Sequence, residues 1–534
     1  MANFTSVKAG LAPSAVSVAL SLSMAWPTLA QGDSICGQLV GVLAEDTIVS
    51  SADNIPADHN LPSHCKVRGV IEPRVGQGGK QFGTGFELRL PHDWIGKFLF
   101  QGGGGFDGTV NPAIGYDPAN PKTPALSRGF AVAATDAGHY GSSARDSWFG
   151  VDKKAQHDNG YNSVRLVTER SRMLMERYYG YLPEYSYFMG CSNGGRQGMV
   201  AATRYPEYFE GVLAAAPAFD ITGSIMAWNW NTQVLHALAE AEQGGNIADT
   251  FSDSELHLIS HAAINACDEI DGMRDGLVMA PMQCQFDPAT LLCDSTHSND
   301  HSNTRCLSEP QVEALKKIQM GPVASDGRSL YAGWTLAGMH GKTGFRLWEI
   351  GATPGPTSSA AGAIFQDGFF KNMVHTPPNP NYDSLTFELS QRDMLIATSE
   401  IWDATSTDYD AFISKGGKLL IWHGTADGAF STPHLVAWFE RLTAAYDDAG
   451  SAADFTRLYL APGVHHCAGG EGLGSFDALT PLIEWVERDK APGSIAATGI
   501  PPGALAPVTR PLCPHPSVTT PSGDGVFSCK TLKH

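Results

Sequence analysis

Short apolar runs closed by glycine or proline recur along this chain. Lys97-Phe98-Leu99-Phe100 runs into a glycine stretch, Phe130-Ala131-Val132-Ala133 precedes Thr135-Asp136, and Tyr185 to Met189 ends at Gly190. Further on, Val212-Leu213-Ala214 approaches Pro217, Lys418 to Trp422 meets His423-Gly424, and Thr456 to Leu460 meets Pro462-Gly463. Unbroken apolar runs of this length, in place of alternation, mark strands buried on both faces of a parallel sheet. Val164 to Tyr179 reads as an amphipathic helix between two of them. Strand–helix alternation, with polar residues just after the strands, predicts an α/β doubly wound sheet. From Phe219 to about Thr405 the rhythm fades. That stretch holds clustered cysteines, a His/Asn/Ser-rich loop at 295–304 and a Gly/Pro/Ser/Ala loop at 351–362. It reads as an inserted lid, giving expected units of 31–219 (first part of the core), 220–405 (lid) and 406–534 (second part of the core).

A chain of 534 residues exceeds one ordinary core at ~150 residues per domain. Its 43% hydrophobic and 17% charged content fits a packed globular protein. The formal net charge of −19 repels phosphate backbones and anionic lipid, so nucleic-acid and peripheral-membrane roles are not expected. Residues 1–30 have the pattern of a signal peptide. Lys8 is followed by a mostly apolar Ala15 to Ala25, and Thr28-Leu29-Ala30 supplies small residues for cleavage. The apolar run is shorter than the ~20 residues a membrane span needs. No Asn-x-Ser/Thr sequon follows the signal, which favours a bacterial setting, secreted or periplasmic. Oligomeric state, monomer or small homo-oligomer, is not legible.

Ten cysteines follow the signal. An even count behind an export signal reads as five disulfides. The sequence alone does not fix the pairing. Local clustering suggests Cys36–Cys65, Cys267–Cys284, Cys293–Cys306 and Cys513–Cys529, leaving Cys191 for Cys467. Zinc is a competing use of cysteine, but no C-x2-C pair or compact Cys/His quartet is present.

Gly190-Cys191-Ser192-Asn193-Gly194-Gly195 matches G-x-S-x-G between a predicted strand and a predicted helix. There a sharp turn lifts a serine hydroxyl off the sheet, and the helix N-terminus favours developing negative charge. Ser192 is the candidate nucleophile. In the order Ser…Asp…His of an α/β-hydrolase, the base follows the last strand. His466 sits there, with its neighbour His465 as rival. The acid follows the penultimate strand, where Asp427 stands in Trp422-His423-Gly424-Thr425-Ala426-Asp427. His423 reads as a strand-end hydrogen-bonding residue. Two backbone donors are needed for an oxyanion. Asn193 is one; Gly103 or Gly104, in Gln101-Gly102-Gly103-Gly104-Gly105, is the other. No Walker-type lysine follows, so the glycine run is not a phosphate cradle.

Cys267 to Leu277 is an acidic loop. Asp268, Asp271 and Asp275, with the carbonyls of Met273 and Leu277, could supply oxygens to a structural calcium ion, which takes about six to eight. The spacing is not that of an EF-hand, and a solvated acidic turn is the alternative. His257 and His261 share a helix face without an intervening glutamate and read as surface residues.

These segments resemble the tannase and feruloyl esterase family, along nearly the whole chain after the signal. The carriers are Gly190 to Arg196, His423 to Asp427, His466-Cys467, the glycine run and the acidic loop. The resemblance implies an α/β-hydrolase core with a large lid, a Ser192–Asp427–His466 triad, a Cys191–Cys467 bridge and a lid-bound calcium ion. It also implies an acyl-enzyme and small aromatic ester substrates: feruloyl, galloyl or chlorogenate-type esters, or the terephthalate monoester that some family members hydrolyse. Phe430 is then a candidate ring-stacking residue, with Trp348, Trp334 and Phe365 as further pocket candidates. Arg346 is the candidate partner of a free substrate carboxylate. A carbohydrate-binding protein on a dead hydrolase scaffold and a peptidase are the other classes to separate.

Overall fold

The computed structural model describes residues 35–242, 245–293, 306–353, 359–375, 377–446, 452–523 and 525–532. The expected signal peptide at 1–30 and the loop at 295–304 lie outside the described residues, as do 354–358 of the loop at 351–362. A ten-stranded sheet organises the chain. Its strands are β1 (Gly41–Ala44), β2 (Thr47–Ile55), β3 (His64–Val75), β4 (Gln81–Pro91), β5 (Lys97–Gln101), β6 (Ala131–Thr135), β7 (Tyr185–Cys191), β8 (Gly211–Ala215), β9 (Lys418–Gly424) and β10 (Thr456–Ala461). They lie in the order β1-β2-β3-β4-β6-β5-β7-β8-β9-β10. The six strands from β6 to β10 pair in parallel, and β1 to β4 add an antiparallel wing that joins through β4 and β6.

Side-chain parity shows why the parallel half is so apolar. Phe98, Phe100, Phe188, Val212, Ala214, Leu419 and Ile421 pack into one core. Their neighbours Leu99, Tyr187, Met189, Leu213, Leu420 and Trp422 pack into another on the opposite face. Successive strand residues point to opposite faces, so a sheet covered on both sides needs both sets apolar.

From β5 the chain passes first to β6 on one side. It then returns through α1 (Ser163–Tyr179) to β7 on the other side. β5 is therefore the switch point of the winding, where a crevice opens beyond the strand ends. The glycine run leaves β5 at that crevice, and Ser192 leaves β7 beside it.

After β8 the chain leaves the sheet at Ala216 and rejoins it at Lys418. This excursion carries α2 (Ile221–Glu242), α3 (Asp253–Cys267), α4 (Glu309–Met320) and α5 (Ala361–Phe369), packed in a core that also takes in Phe82, Phe106, Phe149 and Phe430 from outside it. α3 starts at a capping box: Ser252 accepts from the Glu255 amide, and the Glu255 carboxylate returns the bond. Among the described residues no helix is long and apolar enough to cross a membrane. Five disulfides close the cysteine set in the pairs that local clustering suggested.

Candidate active site

Ser192 occupies the turn between β7 and the helix Asn193–Arg204 with φ 64° and ψ −127°. A non-glycine residue held there is strained and persists because its surroundings fix it. The Ser192 N–H donates to Ala215 O at 3.0 Å, and its carbonyl accepts from Ala218 N–H at 3.0 Å. The flanking glycines are steric requirements. A Cβ on Gly190 would lie 2.6 Å from Gly194 C, and one on Gly194 would lie 2.7 Å from Gly103 O. The glycine run and the serine turn thus touch backbone to backbone.

Asn193 opens the helix, so its N–H has no intrahelical acceptor. A buried polar network holds its side chain. Arg196 Nε donates to Asn193 Oδ1 at 2.6 Å, and Asn193 Nδ2 donates to Asp107 Oδ1 at 2.5 Å. Gln197 Nε2 donates to Asp107 Oδ2 at 2.9 Å, and Gln197 Oε1 accepts from Gly103 N–H at 3.1 Å. Burial pushes the Asp107 carboxyl up to about 6 against these bonds. Burial also pulls the Arg196 guanidinium down to about 10. The network bears on the choice between Gly103 and Gly104: the Gly103 amide is committed to Gln197, and that of Gly102 to Met189 O. Of the two candidates, Gly104 keeps the available N–H.

The last two strands bring the other polar groups in. Asp427 follows β9 and is buried. Its Oδ1 accepts from the amides of Ala429 at 2.7 Å and Phe430 at 3.0 Å, and its Oδ2 lies 2.8 Å from His466 Nδ1. Burial works to raise this carboxyl, but His466 and the amide bonds outweigh it and hold it below the usual value. His466 Nε2 is buried without a hydrogen-bond partner. The residue before Ser192 and the residue after His466 are cross-linked: Cys191 and Cys467 are bonded at 2.03 Å with Cα atoms 5.9 Å apart. Catalytic hydrogen bonds commonly tighten only with substrate present. His465 faces away, with Nδ1 2.8 Å from Thr343 Oγ1 and Nε2 2.9 Å from Gly338 O. His423 stays in the strand, its Nε2 3.2 Å from Phe430 O.

Above Ser192 lies a cavity of about 660 Å³, counting its open mouth, lined by Ser192, Asn193, Trp228, Trp348, Phe365 and Phe430 among others. Trp348 and Phe430 present edge-to-face contacts to the His466 ring at 4.9 and 5.1 Å between centroids. Of the pocket candidates, Trp348, Phe365 and Phe430 line this cavity. Trp334 does not: it is buried against Tyr331, 5.7 Å away between ring centroids. Arg346 is also corrected. Its guanidinium donates to Asp253 Oδ1 and to the carbonyls of Ala248, Gly351 and Phe251, which leaves it tied into the lid and outside the cavity lining. The sequence reading missed Trp228, whose indole donates to Ala429 O at 3.0 Å, and Arg145, the cation in the lining. Only the packing of α2 and the 137–148 loop over β7 brings them there, and no local motif marks either.

The acidic loop folds back on the C-terminal region. Asp268 accepts from the amides of Asp275 and Gly276, and Arg510 Nη2 lies 3.0 Å from Asp275 Oδ2. Asp271 Oδ2 and Asp275 Oδ1 are buried and have no hydrogen-bond partner. Burial, with Asp275 and Asp268 nearby, pushes the Asp271 carboxyl up to about 7; burial also raises Asp275. Buried carboxylate oxygens left without a partner are the donor type that a hard cation takes, so the chemistry of this donor set suits a calcium ion.

Comparison with known proteins gives the family. The model of "Tannase and feruloyl esterase" matches residues 65–531. The mono(2-hydroxyethyl) terephthalate hydrolase of Piscinibacter sakaiensis is 38% identical, over 87% of this chain and 83% of that protein. A probable feruloyl esterase of Arthroderma benhamiae is 31% identical, over 81% and 78%. The crystal structure of feruloyl esterase B from Aspergillus oryzae shares the fold at TM-score 0.78 with 22% identity, covering 93% of this chain and 100% of that one. The chain is a carboxylic ester hydrolase with an α/β-hydrolase core, and it belongs to the tannase and feruloyl esterase family.

Proposed function

We propose that this protein is an exported serine esterase that cleaves esters of small aromatic acids through a Ser192–His466–Asp427 triad. The observation that carries the reading is His466: Asp427 holds its Nδ1, its Nε2 is unpartnered, and its ring packs on Trp348 and Phe430 of the cavity that Ser192 lines. Ser192 Oγ attacks the ester carbonyl as His466 Nε2 takes its proton. The amides of Asn193 and Gly104 donate to the oxyanion. The C–O bond to the alcohol then breaks, and His466 returns the proton to the leaving oxygen. Water, deprotonated in turn by His466, releases the acid from the acyl-enzyme and regenerates Ser192. Trp348, Phe365 and Phe430 offer ring faces and edges to the aromatic acyl group.

Asp268, Asp271 and Asp275, with the carbonyls of Met273 and Leu277, would hold calcium. When bound it would neutralise carboxylates that otherwise repel one another and fix the lid loop against Arg510. Five disulfides support export to an oxidising compartment.

A second reading concerns the acid. Arg145 is exposed at the cavity, and a cation there favours an aromatic acid carrying a second, free carboxylate, as in a terephthalate monoester. The test is hydrolysis of methyl ferulate, methyl gallate and mono(2-hydroxyethyl) terephthalate by wild type, Ser192→Ala and Arg145→Gln. Ser192→Ala should lose turnover on all three. Loss of kcat/KM by Arg145→Gln on the terephthalate ester alone supports the second reading; equal effects on all three discard it. Undiminished turnover by Ser192→Ala would remove the triad.

A further inference from the structure

We infer that His257, His261 and His340 form a transition-metal site, with Glu471 as its fourth ligand. His257 and His261 are one turn apart on α3, so their side chains project from the same face. Their rings stack at 4.0 Å between centroids, and the His340 ring lies 5.2 and 5.4 Å from them. One ring nitrogen from each histidine falls within 4.8 Å of the other two. Nitrogens around a tetrahedral zinc at ~2.05 Å stand about 3.3 Å apart, a gap that side-chain rotation of the exposed His257 can close.

Three further observations point to a ligand. His261 Nε2 is buried with no hydrogen-bond partner, the state of a nitrogen waiting for an electron-pair acceptor. His340 Nδ1 lies 2.8 Å from Ser260 Oγ, which already accepts from Gly338 N–H at 2.9 Å. That contact holds the ring through Nδ1, so coordination would use Nε2. Glu471 Oε2 then stands 3.3 Å from His340 Nε2, placing a carboxylate at the open side of the triangle. Three imidazoles and one carboxylate suit zinc, cobalt, nickel or copper and do not suit calcium, which takes oxygen. The acidic loop, which begins at the end of the same helix, is thus a separate site with a different preference.

The position gives the site a consequence. His257 and His261 belong to the lid. Glu471 belongs to the segment after β10 that also carries His466 and Cys467. The loop of His340 reaches the same segment through Gly338 O and Thr343 Oγ1, both bonded to His465. An ion here would pin lid helix, lid loop and base-bearing loop together, and none of its four ligands lines the cavity.

The experiment is zinc and cobalt titration of the untagged protein with calcium held in excess, read by competition with a chromophoric chelator. The visible spectrum of bound cobalt and the Tm serve as further readouts. Wild type should bind one equivalent of zinc, show a tetrahedral cobalt spectrum and rise in Tm. His257→Ala/His261→Ala, and separately His340→Gln, should lose that equivalent. Each should weaken binding by more than the ~10–100-fold that loss of an outer-shell partner costs. Glu471→Gln should keep a weaker site and lose most of the Tm rise. His236→Ala, at a histidine elsewhere in the lid, should change nothing. Absence of zinc binding by wild type, or equal stoichiometry in wild type and both histidine variants, overturns the inference.

Discussion

Removing the Cys191–Cys467 bridge, as Cys191→Ala/Cys467→Ala, separates what the cross-link does for folding from what it does for chemistry. The two cysteines are 276 residues apart, and the chain-entropy relation assigns a closed loop of that length about 5.6 kcal/mol at 25 °C. Relaxation of both states brings measured losses nearer ~2–5 kcal/mol. Unfolding entropy of about 2.1 cal/mol/K per residue makes the melting of 534 residues worth roughly 1.1 kcal/mol/K, so Tm should fall by about 2–5 °C. The chemical effect should be larger. Cys191 precedes Ser192 and Cys467 follows His466, so without the bridge the hydroxyl and imidazole are aligned only by packing. A misplacement of ~1 Å can cost ~100-fold in rate. The assay is kcat and KM on an aromatic ester well below the variant's Tm, beside thermal unfolding in the same buffer. The expected result is a fall in kcat of about ten- to a hundredfold, with KM changed far less. A variant with lowered Tm and wild-type kcat would refute the argument that the bridge aligns the site; one unchanged in both would refute the entropy argument as well.

Asp427→Asn should lower kcat by about 10⁴ with little change in KM or Tm, because an amide cannot stabilise the imidazolium or hold its tautomer; burst kinetics would check this. Phe430→Ala should raise KM for methyl ferulate by about tenfold and for a short aliphatic ester far less, since an aromatic pair is worth ~0.5–1.5 kcal/mol beyond its buried area; Michaelis constants for the two esters decide it. Chelated protein should lose stability as pH rises from about 4 to about 7. The Asp271 carboxyl titrates near 7 in the fold and near 3.9 when unfolded, so the folded state binds the extra proton and its advantage disappears as pH passes the folded value. Calcium should flatten that slope, and Asp271→Asn should reduce it without calcium; thermal melts across pH, with and without calcium, would show both.

Much of the core was legible because its signals are local. Buried parallel strands are short apolar runs between breakers, so β5 to β10 stand out in the sequence. The serine turn is a fixed spacing of glycines around one residue, and the acid and base follow the last two parallel strands in the chain order of the fold. The antiparallel wing of β1 to β4 is not legible in the sequence: β2 and β3 mix buried and exposed positions, β3 holds Lys66, Arg68, Glu72 and Arg74, and β4, though almost wholly buried, carries Glu87 and Arg89. Tertiary structure decided the rest. It committed the Gly103 amide to Gln197, tied Arg346 to Asp253 and three carbonyls, and brought Trp228 and Arg145 to the cavity from separate segments. It also set His340, some eighty residues along the chain, beside His257 and His261. In each case the outcome depends on which side chain of a distant element fills a given space, and a chain of amino acids specifies that only once it has packed.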